Sequence, residues 1–221
     1  MTSFESGSQE SSWSSIIKQP AMSKLLTKMA FSGLSYGIYS NLIYFFLVYL
    51  DPVNYYAEFG LYYLVFSFVN AATYPLAGIL TDRIGRKPIL VVGATISTVG
   101  TFIFPFVTVW WYLLPAAAAL AVGSALLGTA QMCVAADVTT GYRREKAYSI
   151  GMSFGMVFGV IGTIVLIIYT YVYENILPAN IFYQILLLVA ALLMLISAIP
   201  MFVIKTPSLQ ETKSCDPDPS K

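Results

Sequence analysis

Six long apolar stretches, separated by short polar connections, limit most strongly what this chain can fold into. They run over 29–50, 59–80, 88–108, 111–136, 147–173 and 181–204. Each is long enough to cross a hydrocarbon core of about 30 Å as a helix. Inside lipid the backbone must satisfy its own N–H and C=O groups, which leaves helices or closed barrels. A barrel needs alternating segments of ~10 residues, and these stretches are longer and apolar all round. The chain is 57% hydrophobic and 10% charged, against about 25% charged in a soluble domain. A water-soluble globule and a disordered chain are both excluded. Two Cys do not make a disulfide scaffold. The expected class is an all-α membrane protein with six transmembrane helices.

The near-neutral net charge of +1 hides a sidedness. Lys18, Lys24 and Lys28 precede the first stretch, and Arg83, Arg86 and Lys87 lie between the second and third. Arg143, Arg144 and Lys146 lie between the fourth and fifth, and Lys205, Lys213 and Lys221 follow the sixth. The other connections carry Asp51, Glu58 and Glu174 and no basic residue. Cytosolic loops carry the excess of Lys and Arg, so both termini are expected in the cytoplasm. The layout divides into a cytoplasmic polar tail (1–28), a six-helix membrane domain (29–204) and a disordered cytoplasmic tail (205–221). The first tail lacks the apolar core and cleavage site of a signal peptide and could end in a short surface helix around 16–26. Cys133 and Cys215 are not placed for a bridge.

The most specific pattern is Gly78-Ile79-Leu80-Thr81-Asp82-Arg83-Ile84-Gly85-Arg86-Lys87-Pro88. Two antiparallel helices joined so closely need a tight turn, and Gly85 can supply a positive φ there. Pro88 suits the first turn of the following helix. Asp82 is expected to satisfy free N–H groups at that helix start. Arg83, Arg86 and Lys87 can hold the loop at an anionic leaflet. The same residues could also be no more than a basic turn.

The pattern resembles the loop 2–3 signature of the major facilitator superfamily, G-x-L-x-D-R-x-G-R-[RK]. A second stretch, Gly123 through Asp137 followed by Arg143 and Arg144, is similar to that family's fourth helix and its acidic end. The resemblance implies the six-helix N-terminal half of that fold, built from two inverted three-helix repeats, 29–108 and 111–204. No internal identity between the repeats is visible. It implies gating roles for Gly78, Asp82, Arg83, Gly85, Arg86 and Lys87. It also implies an inner-mouth charge pair between Asp137 and Arg144 or Arg86. Some family features are missing: the fourth helix has no internal Arg, and the fifth has Gly151, Gly155, Gly159 and Gly162 but no Pro.

In that family the first and fourth helices of each half line the central cavity. Here the expected path residues are Tyr36, Tyr39 and Asn41 on the first helix, Asn70 on the second and Gln131 on the fourth. Ser32, Tyr36, Tyr39 and Ile43 share a face by helical spacing, as do Ser124, Gly128 and Gln131. Any of these could equally serve in interhelical bonding. The Gly151, Gly155, Gly159 ridge is expected to pack closely on another helix. No ionisable group is expected deep in any span. Neither a metal cluster, a nucleophile–base pair nor a cofactor fingerprint is present, so no catalytic residue, metal or cofactor is expected and the chain does not read as an enzyme.

The leading expectation is a transporter subunit of the cell membrane, a half-size carrier moving a small, unidentified solute by alternating access. Its partners would be the bilayer and a second half, either a copy of itself or another six-helix chain, and not nucleic acid. The alternative is a non-transporting scaffold or regulator, or a truncated product, on the same half-fold.

Overall fold

Each apolar stretch closes its own backbone hydrogen bonds as a helix. The computed structural model describes residues 20–138, 143–173 and 178–203, with side chains for 22–134, 147–172, 178 and 181–202. Six long helices form: α1 (Pro20–Leu50), α2 (Tyr55–Ile84), α3 (Arg86–Ile103), α4 (Leu113–Val138), α5 (Arg143–Tyr173) and α6 (Ala179–Val203). Two 3₁₀ turns, Phe104–Phe106 and Trp110–Tyr112, join α3 to α4. All six helices are long and apolar enough to cross a membrane. The tail expected at 205–221 and residues 1–19 lie outside the described residues.

Two boundaries differ from expectation. α1 begins at Pro20, so residues 20–28 are helix rather than tail. Met22, Leu25, Leu26 and Met29 lie at i, i+3, i+4 and i+7, and all four are buried. That apolar stripe extends the span through a polar-looking stretch. α2 begins at Tyr55 and so takes in Glu58, which the sequence placed in a loop. The third stretch runs as α-helix only to Ile103. Pro105 has no N–H to donate, and it lies in the 3₁₀ turn that follows.

The core has two layers. One unites Met22–Met29 of α1, Ile89–Ala94 of α3, Leu126–Val134 of α4, Ala147 of α5, Ala198 and Met201 of α6, and Ala77 of α2. The other unites Ile38–Leu47, Tyr62, Phe104, Leu113–Leu120, Leu166 and Phe182–Ala190. The helices therefore alternate in direction. α1 begins, and α6 ends, at the end of the bundle that carries the Gly85 turn, called here the turn end. The extensive contacts are α1 with α5 and α6, α4 with α2 and α3, and α3 with α6. α2 and α5 are peripheral: 11% and 17% of their most apolar 18-residue stretches are buried, against 44% for α1 and 56% for α4.

Glycine makes the α1–α5 contact possible. A Cβ at Gly33 or Gly37 would strike the backbone carbonyl of Gly155 or Gly159, and one at Gly162 would strike that of Leu34. The expected glycine ridge of α5 thus packs within the chain, on α1. At the far end, Asp51 closes the α1–α2 turn. Its Oδ1 accepts from the Val53 N–H (3.0 Å) and the Asn54 N–H (3.1 Å), and its Oδ2 accepts from Asn54 Nδ2 (3.2 Å). The Asn54 side chain first, then these backbone donors, hold the carboxyl below its ordinary 3.8. A depressed value means that the turn's stabilisation is present above 3.8 and lost as pH falls through the folded value.

Candidate functional site

Polar side chains in an apolar bundle gather where two helix faces stand apart. A cavity of about 820 Å³ opens between α1, α2, α4 and α5, with Ser97 and Thr101 of α3 and Met194 of α6 at its back. Its lining includes Tyr36, which is 61% exposed, and Met156 and Val160 of α5, also widely exposed, so it opens along one flank. A second hollow, about 510 Å³, is lined by Thr98, Val99, Phe102, Ile103, Phe106 and Leu195. The Thr98 hydroxyl is spent on the Ala94 carbonyl (2.8 Å), so this hollow offers no free donor.

The cavity brings together four of the five expected path residues: Tyr36, Tyr39, Asn70 and Gln131. The Tyr39 hydroxyl is hydrogen-bonded to that of Tyr62, and its ring packs edge-on to Phe104 at 4.9 Å. Asn70 Nδ2 donates to Ser124 Oγ (2.7 Å) and to the Ala121 carbonyl (3.2 Å), tying α2 to α4. Gln131 is buried, and its Nε2 has no hydrogen-bond partner. Asn41 is not among the lining residues. Its Nδ2 donates to the Gly37 carbonyl (2.9 Å) and to Thr163 Oγ1 (3.2 Å), which commits it to the α1–α5 contact. Ile43, placed on the cavity face by spacing, is fully buried in the far-end core.

Two ionisable side chains are buried near the ends of helices, beyond the spans expected from hydropathy. Lys28 lies inside α1, is 5% exposed and lines the cavity. Glu58 lies inside α2, is 4% exposed, and its Oε2 has no partner. Both sit where a helix runs past the end of its most apolar window, so a span drawn by hydropathy stops short of them. The signal that could have found Lys28 was the Met22, Leu25, Leu26, Met29 stripe around it.

In the turn between α2 and α3, Gly85 is the whole connection. Its φ of 104° is the only positive value among the described residues, a region that side chains disfavour. Its N–H closes α2 on the Thr81 carbonyl (3.1 Å). Pro88 falls in the first turn of α3. The cap expected from Asp82 is absent: α3 starts with no side-chain cap hydrogen bond. With a one-residue link the capping position is Gly85 itself, which has no side chain, and Asp82 remains an exposed residue of the last turn of α2. Arg83 and Lys87 are exposed and Arg86 is half-buried. A Cβ on Gly78 would meet nothing within 4 Å. The side chains of Asp137 and Arg144, the expected charge pair, lie outside the described residues. Among the described residues no three metal-ligating side chains come together.

The family model described as Major Facilitator Superfamily matches residues 29–216. No curated protein matches the chain.

Proposed function

The chain belongs to the major facilitator superfamily, a family of transporters embedded in membranes by many helices, and from that premise we propose that it is a solute carrier subunit. The cavity between α1, α2, α4 and α5 is its half of the pathway. It moves a small solute by alternating access, together with a second six-helix half that covers the open flank. The observation that carries this reading is the cavity itself. It holds about 820 Å³, within the ~300–1,000 Å³ common for ligand sites, and it concentrates the bundle's polar side chains.

The packing supports inverted three-helix repeats. Exchanging each helix with the one three positions on maps the α1–α5 contact onto α4–α2, and the α1–α6 contact onto α4–α3. The basic residues at the turn end support a cytoplasmic position for that end, and the plasma membrane is the natural host. The widely exposed faces of α2 and α5 support a second half, either a copy of this chain or another. A scaffold or regulator is the competing reading. It draws its support from the lack of coupling charges in the expected spans, and Lys28 at the cavity weighs against it.

Reconstitution into vesicles tests the proposal. Uptake from a panel of neutral and charged solutes, with and without an ion gradient, is expected to exceed that of protein-free vesicles for at least one solute class. Asp82→Ala or Arg86→Ala should lower that uptake while the protein stays folded. No uptake above protein-free vesicles for any class overturns the carrier reading. A protein that is a monomer in nanodiscs and still gives full flux in vesicles holding one monomer each overturns the second half.

A further inference from the structure

Among the described residues, Lys28 is the only charged one that lines the cavity. It is 5% exposed, and no charge or hydrogen-bond partner acts on it among the described residues. The described acids lie elsewhere: Asp51 and Glu58 at the far end, and Asp82 exposed beside the Gly85 turn. A buried ammonium without a counter-charge is costly, and a protein normally pairs it. Gln131 contributes a donor without a partner. It lines the same cavity, is 8% exposed, and its Nε2 has no partner. The two lie in the same layer of the bundle, because their chain neighbours Met29 and Ala130 both belong to the turn-end core. Lys28 comes from α1 and Gln131 from α4, and the cavity lies between those helices.

We propose that Lys28 and Gln131 form an anion site at the turn end of the cavity, and that the solute is an organic monoanion with an apolar body. This rests on the carrier reading of the same cavity. The charge follows from one cation with no acid facing it among the described residues. A carboxylate accepts from both an ammonium and an amide N–H, and such charge-assisted bonds are the strong ones. The apolar body follows from the rest of the wall, where Tyr36, Tyr39, Phe66 and Tyr74 present rings. The headgroup of an anionic lipid shares the recognised chemistry and would have access wherever the second half leaves the flank open.

Benzoate and its neutral isostere benzamide form the test, by isothermal titration of the full chain in phosphatidylcholine nanodiscs. Benzoate should bind, and benzamide about tenfold or more weaker. Lys28→Met should weaken benzoate by about tenfold or more and leave benzamide unchanged. It should also raise the melting temperature, since it removes a buried charge, so loss of binding is separable from loss of fold. Lys28→Arg should retain the preference for the anion, and Gln131→Leu should weaken benzoate by a smaller factor. Competition that appears only when phosphatidylglycerol is added, and only with Lys28 present, supports the anion site and assigns it to a lipid headgroup as well. Equal binding of benzoate and benzamide, no binding of benzoate, or benzoate binding indifferent to Lys28→Met overturns the inference. Vesicle uptake separates it from the carrier reading. Flux of neutral solutes without anion preference overturns the site and leaves the carrier. Lys28-dependent binding without any flux does the reverse.

Discussion

Two seams flank the cavity, and they differ in how closely the backbones approach. Where α1 meets α5, glycines let one backbone rest on the other, and Thr163 Oγ1 sits 3.3 Å from the Gly37 carbonyl. Where α2 meets α4, side chains bridge the gap, led by Asn70 on Ser124 and Ala121. Gly128 of α4 marks the difference: a Cβ there would meet only the Tyr74 side chain, at 3.6 Å. In lipid there is little hydrophobic drive between helices, so a seam is held by close packing or by interhelical bonds. The first kind is stiff and cannot be re-made after an ångström of sliding. The second can break and reform. On that ground the α1–α5 pair is expected to be the fixed wall of the cavity and the α2–α4 pair its adjustable wall.

The sharpest way to break this contrast is to put a side chain into the stiff seam. Gly37→Val places a Cβ against the Gly159 carbonyl, where backbone must move to make room. Overpacking of well-packed sites costs about 1–3 kcal/mol and occasionally more, and here the upper end is expected because backbone meets backbone. Thermal unfolding in detergent or nanodiscs should show the largest drop of any single change at either seam. A shift as small as that of a change at Asn70 would mean that the α1–α5 contact is as yielding as its counterpart.

How legible these walls were in the sequence depended on scale. Six spans, the Gly85 turn and the glycine ridge of α5 could all be read, because length, conformational freedom and the spacing of small residues are local properties. Gln131, Asn70, Tyr36 and Tyr39 could be placed on the cavity for a related reason, since a polar group in an apolar helix must face protein or water. Asn41 obeyed the same rule and went the other way: it faces protein, across the α1–α5 seam. Spacing along one helix could not tell those two outcomes apart, because the difference lies on a helix more than a hundred residues away. Lys28 was lost for another reason. Hydropathy weighed its charge and ended the span, while the four buried apolar residues around it carried the helix through. Asp82 was assigned a cap that needs a flexible residue between two helices, and the single Gly85 leaves none.

The polar seam should respond more gently. Asn70→Ala removes both bonds from Asn70 Nδ2 and leaves Ser124 with its own bond to the Ala121 carbonyl (2.9 Å). Interhelical hydrogen bonds in membranes contribute about 0.6 kcal/mol on average and up to roughly 1.7, so a loss of about 1 kcal/mol is expected. The informative readout is uptake measured beside stability. An adjustable wall predicts that Asn70→Ala changes transport rate more than a stability-matched change in the far-end core, such as Leu187→Val. Equal effects on rate would make α2–α4 a structural seam like the other.

The smallest effect on stability is expected at Gly78, where added atoms meet open space. Gly78→Ala should leave the melting temperature unchanged or raise it slightly, since Ala is favoured over Gly in a helix by up to about 1 kcal/mol. Gly78→Leu should be tolerated by the fold for the same reason. The two therefore probe what lies beyond the chain's own packing. If a second half rests on the exposed face of α2, Gly78→Leu should lower uptake and weaken self-association or partner capture while the unfolding curve stays in place. If uptake and association survive Gly78→Leu as well as stability does, that face meets only lipid. The adjustable wall then moves against the bilayer and not against a partner.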